Sequence, residues 1–387
     1  MTVGQGGAGG AGGRAPLLGD QDKAAVAHLN VLATRFYCDR MPGSWVPRYL
    51  EARGFGSAVQ VRWHAGCAPA TWDALTRHLR ALGYPDELIE RAGLARQSQR
   101  GSLIDVFRDR AVFPIRSTTG SVTGFIGRAR DARIAGAPKY LNTPRTCLYD
   151  KSRFLFGLYE ARAALAAGAR PVIVEGPFDA IAVTAAGEQR FAGVGTCGTA
   201  VTAQHIAGLA QVTDFRAVGA IAGFDPDFAG RRAAVRAYHL LRTFTDKLDA
   251  ADLEDGQDPA HIFESQGPTA LAETLVGRTR PLADVVVDNE VERWSRWMCY
   301  PEGQVHALRA AARLIVAMPP SHVGRQVSRL ASRLGFDHTV VTEAVTDALT
   351  DHTAETAAAY SPRGRPRLPR SPPPARGLRI EVLLIEL

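Results

Sequence analysis

Apolar residues recur at helical spacing from Asp20 through Ala24, Val26, Leu29, Leu32 and Phe36, the pattern of one buried helix face. Pro42 and Gly43 end that run. Residues 45–53 read as a second short helix closed by Gly54. Residues 71–83 read as a third, with Thr71 as N-cap and Gly83 as stop, and 85–92 as a fourth between Pro85 and Gly93. Near Val106 the period changes to two. Residues 111–116 and 121–128 form two strands of a hairpin around the turn 117–120, and Pro114 points to an edge position or a bulge. A polar stretch with Pro138 and Pro144 follows, then an Ala-rich helix over 158–168. From Arg170 the chain alternates. Strands are expected at 172–174, 191–194, 217–224 and 247–253, with helices at 179–186, 202–210 and 231–244 between them. Such alternation predicts a small parallel sheet with helices on both faces. Beyond Pro268 the pattern is helical to about residue 349.

At 387 residues, with 46% hydrophobic and 22% charged positions, the chain has the balance of a globular protein of two or three domains. Residues 1–20 are a Gly-rich tail without the apolar core of a signal peptide, and residues 361–376 hold six Pro and five Arg. Both tails, 1–20 and 351–387, are expected to be disordered. Cysteines 38, 67, 147, 197 and 299 form no C-x-x-C pair, which leaves no zinc ribbon and fits a reducing cytoplasm. No stretch reaches the ~18 apolar residues of a membrane span. The net charge of +7, carried mostly by Arg, fits a polyanionic partner and equally an Arg-rich proteome with no such partner.

Two acidic clusters stand at the ends of apolar strands: Val174-Glu175-Gly176-Pro177-Phe178-Asp179 and Phe224-Asp225-Pro226-Asp227-Phe228-Ala229-Gly230. In an open α/β sheet the carboxyl ends of the strands face the ligand crevice. Four carboxylates converging there repel one another unless a cation lies between them. Pro226 holds Asp225 extended, so Asp225 and Asp227 point the same way and can share one ion. Gly230 and the helix after it bring backbone N–H groups toward a phosphate. Mg²⁺, which takes a few carboxylates plus phosphate oxygens, is the expected ion. An EF-hand reading of D-x-D-x-x-G lacks the third acidic position and the closing Glu. Taken singly, Asp179 also reads as a helix cap and the Asp pair as a solvated turn. Residues 253–259 supply a third acidic loop with Asp255 and Asp258. The G-x-G-x-x-G match at 193–198 begins inside a strand, which speaks against a dinucleotide site. Arg110, Arg116, Arg128, Lys139, Lys151 and Arg153 with Phe113, Phe125 and Tyr140 form a basic, aromatic segment suited to phosphates and bases.

These motifs resemble the catalytic core of bacterial DnaG-type primases. Val-Glu-Gly-x-x-Asp at 174–179 and Asp-x-Asp-x-x-Gly at 225–230 are similar to the two signatures of a Toprim domain. Upstream, Phe107-Arg108-Asp109-Arg110-Ala111-Val112-Phe113-Pro114-Ile115, Gly124-Phe125-Ile126-Gly127-Arg128, Pro138-Lys139-Tyr140-Leu141-Asn142-Thr143-Pro144 and Leu155-Phe156-Gly157-Leu158-Tyr159-Glu160-Ala161 resemble the primase-specific N-terminal subdomain in the same order. The resemblance covers about residues 25 to 265. It implies an α/β Toprim-type sheet (169–266), preceded by an α+β primase subdomain (21–168) and followed by a helical subdomain (267–350). It also implies synthesis of short RNA primers on single-stranded DNA from ribonucleoside triphosphates, with Mg²⁺ or Mn²⁺ and no zinc. Glu175 would be the catalytic carboxylate, Asp179, Asp225 and Asp227 the metal ligands, and Asp255 and Asp258 the third acidic loop. Arg110, Arg128, Lys139, Tyr140, Asn142 and Lys151 would face template or nucleotide. The family's zinc-binding template-recognition domain and helicase-interaction domain have no counterpart in the pattern, and Ala260 stands where the family often has another Asp. A replicative helicase or a separate zinc-domain protein is therefore an expected partner, and a plasmid or phage setting fits. A Toprim nuclease and a non-catalytic primase relic that holds single strands or nucleotides are the alternatives.

Overall fold

The computed structural model describes residues 20–130, 138–187, 189–254 and 256–360. The two tails expected to be disordered fall outside it, except that the last helix, His338–Tyr360, runs past the expected end of the helical region. Its first half carries six short strands: β1 (Gly66–Ala68), β2 (Ala95–Gln97), β3 (Leu103–Asp105), β4 (Arg110–Arg116), β5 (Val122–Ala129) and β6 (Tyr140–Asn142). β1, β4, β5 and β6 make one antiparallel sheet in that order, and β2 and β3 a separate ribbon. The expected hairpin is β4–β5. Pro114 lies beyond the reach of β1, which pairs only with residues 110–112, and the register slips between Ile115 and Arg116. Its missing N–H is thus tolerated in the way an edge or bulge allows. β1, β2, β3 and β6 were not expected from the sequence; three residues carry too little alternation to register.

The helix Asp20–Asp39 packs on β5 and β1, and its apolar stripe of Val26, Leu29, Ala33 and Phe36 is buried. The third helix starts later than expected, at Ala74 rather than Thr71. Its local cap residue, Asp73, makes no side-chain capping bond and pairs with Arg77 at 3.1 Å instead. The cap comes instead from Asp105, 2% exposed, which accepts the N–H groups of Leu75 (2.8 Å) and Thr76 (2.9 Å) and the Thr76 hydroxyl (2.6 Å). A cap delivered from a residue this distant leaves no local sequence signature.

The second half holds β7 (Arg170–Val174), β8 (Phe191–Gly195), β9 (Ala220–Ala222), β10 (Leu248–Ala251) and β11 (Thr279–Pro281). They form one sheet in the order β11-β10-β9-β7-β8, parallel except for the edge strand β11. The expected strand 217–224 is shorter than read, because residues 215–218 make a helical turn before β9. The helices Leu158–Ala166, Ala203–Ala210, Phe228–Leu241 and Leu282–Glu292 share one core with the sheet and with the C-terminal helices Pro301–Val316 and Pro320–Leu334. Asp284 and Asp288, both nearly buried, bind this layer together. Asp284 pairs with Arg325 and Arg329 at 2.6 Å each, and Asp288 with Arg280, Arg329 and Arg333 at 3.0 Å each. No helix among the described residues is long and apolar enough to cross a membrane.

A second core joins the two halves. Phe178, at the start of the helix Pro177–Ala186, inserts among rings of the first half. Its centroid lies 5.6 Å from Phe55, 5.8 Å from Phe113, 6.0 Å from Tyr140 and 6.2 Å from Tyr49. Three of these four contacts are edge-on, the geometry aromatic quadrupoles favour. A further β-bridge links Phe156 to Gly195. Replacing Phe178 by Ala empties the centre of this cluster and is expected to cost ~3–5 kcal/mol, read as a lower urea midpoint; a loss below ~1 kcal/mol would mean that the cluster does not hold the halves together.

Candidate active site

β8 lies on one flank of β7 and β9 on the other, so the chain leaves β7 toward one side and returns on the opposite side. The loops part between β7 and β9, and that parting is where open α/β sheets place their ligands. Glu175 directly follows β7, and Asp225 and Asp227 follow β9. A cleft of about 550 Å³ opens there, lined by Asp225, Asp227, Phe228, Arg231, Gln257 and Asp258 among others.

Local backbone chemistry builds this crevice. Asp227 caps the helix Phe228–Leu241, its Oδ1 accepting Gly230 N–H at 2.8 Å. Asp258 caps the helix Pro259–Gln266, its Oδ1 accepting His261 N–H at 2.6 Å. In each case the cap uses one carboxylate oxygen, so the cap reading does not exclude the site reading. A Cβ on Gly230 would lie 2.0 Å from the Asp225 carbonyl oxygen, so the 225–230 turn closes only around glycine. The glycines of the 193–198 motif have a different use. A Cβ on Gly193 would meet the Ala180 carbonyl at 2.4 Å, and one on Gly195 the Gly176 carbonyl at 2.9 Å. They let the helix Pro177–Ala186 and its preceding turn press onto β8; no dinucleotide loop is formed.

The residues expected at the site do not all face the cleft. Asp179 is 7% exposed. Its Oδ2 accepts Gly176 N–H at 3.0 Å and its Oδ1 accepts Ala260 N–H at 3.1 Å, so it ties the turn after β7 to the third acidic loop. Arg110 is also buried and donates to the carbonyls of Gly127 and Pro138, both at 3.0 Å. Asn142 donates to the Cys197 carbonyl at 3.0 Å and accepts from the Tyr149 hydroxyl at 3.3 Å. Tyr140 packs on Phe178. Lys151 is exposed, with its carbonyl beside the His205 ring at 2.9 Å. Asp255 lies outside the described residues. Lys139 bears on the acidic side through its charge alone, which offsets part of the rise that burial, Asp258 and Asp227 impose on the Asp225 carboxyl. Arg128 lies over the Tyr140 ring at 5.1 Å, donates through Nε to the Tyr49 hydroxyl at 3.0 Å, and keeps a buried Nη1 with no hydrogen-bond partner. Arg231 and Phe228 in the cleft lining were missed by the sequence reading. Both stand in the first turn after the Asp pair, which was their one available signal.

Burial and crowding raise the acid groups. Glu175 is pushed up to about 7, first by desolvation, then by Asp225 and Asp227, with the Asp225 backbone N–H pulling slightly the other way. Asp179 is raised by burial and then by Asp258, and Asp225 by burial and then by Asp258 and Asp227. Glu175 Oε1 is buried with no hydrogen-bond partner. Among the described residues no three His, Cys, Asp or Glu side chains form a ready-made metal cage. An orphaned carboxylate oxygen, crowded carboxylates and an open side fit a divalent cation such as Mg²⁺, which completes its shell with phosphate oxygens and water.

The model of the DNA primase catalytic core N-terminal domain matches residues 38–162, and a Toprim-like model matches residues 172–263. The RNA polymerase domain of Mycobacterium tuberculosis primase DnaG is 33% identical, with a TM-score of 0.69, covering 80% of this chain and 99% of that one. The chain belongs to the DnaG-type primase catalytic-core family. A DnaG primase catalytic domain bound to single-stranded DNA gives a TM-score of 0.67 at 30% identity, over 83% of this chain and 99% of that one. The DNA primase of Streptomyces coelicolor is 34% identical over 324 residues, 82% of this chain and 49% of the relative. The chain thus spans about half the length of the curated primases it matches.

The raised Glu175 carboxyl has a measurable sign. The folded chain holds that proton more tightly than the unfolded chain, so its contribution to stability is complete below the ordinary value of 4.5 and is lost as pH rises toward about 7. With divalent ions chelated, the urea midpoint is expected to fall between about pH 5 and about pH 8, and Glu175→Gln to flatten that fall. An equal slope in both proteins would remove the assignment.

Proposed function

We propose that this chain is the RNA-polymerising core of a primase: it joins ribonucleotides along a single-stranded DNA template. The observation that carries the reading is the meeting, at the parting of β7 and β9, of Glu175, Asp225, Asp227 and Asp258 with the basic edge that holds Lys139. The family membership and the DNA-bound relative support it.

Asp225 and Asp227 would hold Mg²⁺ or Mn²⁺, with Asp258 at the cleft's far wall and Asp179 keeping the turn in place from behind. When bound, the divalent ion neutralises phosphate charge and lowers the pKa of an oxygen beside it. Glu175, which directly follows β7 beside the Asp pair, would accept the proton of the primer 3′-hydroxyl, the bound cation keeping its carboxylate ionised. The 3′-oxygen bonds to the α-phosphorus as the bond to the bridging oxygen breaks, and pyrophosphate leaves. Lys139 would supply positive charge for the triphosphate, and Arg128, whose Nη1 is buried, would add its charge from behind the Tyr140 ring. Helix N-termini at Phe228 and Pro259 add backbone N–H groups and dipole to the same side. Arg110, Tyr140 and Asn142 serve by fixing the strands that carry Lys139 and Arg128. A replicative helicase and a separate zinc-domain protein remain the proposed partners of the full assembly.

Incubated with single-stranded DNA, labelled ribonucleotides and Mg²⁺ or Mn²⁺, the chain is expected to make short RNA. Asp225→Asn with Asp227→Asn should reduce that synthesis by at least ~10²-fold and weaken Mn²⁺ binding followed by electron paramagnetic resonance. DNA degradation with no incorporation would instead indicate a Toprim nuclease. Strand binding without turnover, unchanged by the double substitution, would indicate a binding relic.

A further inference from the structure

A second cleft, of about 610 Å³, opens on the first half of the chain and shares no lining residue with the acidic one. Arg35 from the first helix, Arg62, Arg116 at the end of β4 and Arg162 from the helix Leu158–Ala166 converge on it. Its one acidic lining residue is Glu160, whose side chain is 4% exposed and lies 3.3 Å from Arg116. The cleft therefore carries a clear excess of positive charge, on four separate segments of chain. His64, which also lines it, is held toward its neutral form by burial and by Arg116.

Of the two rings in the lining, Tyr159 and the His64 imidazole, the larger already carries cations. The Arg162 guanidinium lies 3.7 Å from the Tyr159 centroid and that of Arg116 at 5.3 Å. A Cβ on Gly120 would come within 2.6 Å of the same ring. Two guanidinium groups already lie over Tyr159, and guanidinium groups are planar donors matched to phosphate oxygens. A site dominated by phosphate donors positions a backbone and reads little sequence.

We propose that this cleft is a secondary track for the phosphodiester backbone of the nucleic-acid strand engaged by the acidic cleft. The proposal rests on the nucleic-acid reading above. The two ends of β4 indicate the route. Arg110 bonds to the Pro138 carbonyl, next to Lys139, and Arg116 lies in the second cleft. Seven extended residues separate these ends by roughly 20 Å, the length of about six nucleotides at duplex spacing.

The test is strand binding by the full chain, followed by fluorescence anisotropy across a salt series, with labelled single-stranded DNA of about 6 and about 20 nucleotides. The variant is Arg35→Ala with Arg62→Ala and Arg162→Ala, which leaves the Arg116–Glu160 pair intact; Arg→Lys at the same three positions keeps the charge. For the long strand, the alanine variant is expected to bind about tenfold more weakly at low salt, with a salt slope shallower by about 2, near 0.7 per lost phosphate contact. The short strand should bind as before, and the lysine variant should recover most of the long-strand affinity. Unchanged long-strand affinity and slope would overturn the proposal, as would an equal loss for the short strand. Labelled ATP that binds the natural chain and not the alanine variant would assign the cleft to free nucleotide and overturn the strand reading. The readout is binding, so Asp225→Asn with Asp227→Asn, which tests the polymerising site, is expected to leave these differences in place.

Discussion

Crowded negative charge at the parting of β7 and β9 sets the terms for the surrounding structure. Glu175, Asp225, Asp227 and Asp258 repel one another there, and the repulsion together with burial is what lifts Glu175 to about 7. The fold compensates with neutral dipoles as well as with cations. Backbone N–H groups of Gly230, His261, Gly176 and Ala260 accept part of the load, each bonded to an aspartate of the set or of its support. Lys139 is the side chain whose positive charge bears on Asp225. The loop architecture, the three helix starts and the glycine at 230 all follow from the need to hold these acids close without neutralising them fully.

The same aspartates illustrate why helix caps and ligand positions are hard to separate by sequence. A cap uses one carboxylate oxygen and fixes the direction of the other. Asp227 and Asp258 show that arrangement at the cleft. Asp179 shows the other limit, with both oxygens taken by amides and almost no exposure. Its part is to join two acidic loops that are distant in the chain, a contact that no spacing rule reveals.

Much of the second half was legible because β7, β8 and the longer helices there show their period, and because Pro177, Gly187 and Thr202 mark element ends; β11, three residues inside a stretch that reads as helical, was not. The acidic motifs were legible for the same reason: they sit where strands stop. What escaped depends on distant partners. β1, β2, β3 and β6 are three residues each and exist through pairing. The cap from Asp105 crosses about thirty positions. Arg110 and Asn142 read as exposed polar contacts, yet they bond to backbone carbonyls brought near by tertiary packing. Exposure is a property of the assembled fold, and a basic residue in an extended, aromatic-rich segment gives little sign of which way it will turn.

Phe178 and its ring of Tyr49, Phe55, Phe113 and Tyr140 occupy the seam between the two halves. Such a wedge leaves no hinge plane: to swing one half against the other, four aromatic faces would have to be exposed to water at once. The basic edge with Lys139 and the acid loops are consequently set at a fixed spacing when the chain folds, as jaws cast in one piece. Adjustment at the rim falls to side-chain rotation, most freely at Arg231, because Lys139 lies 5.7 Å from the Tyr140 ring of that same cluster.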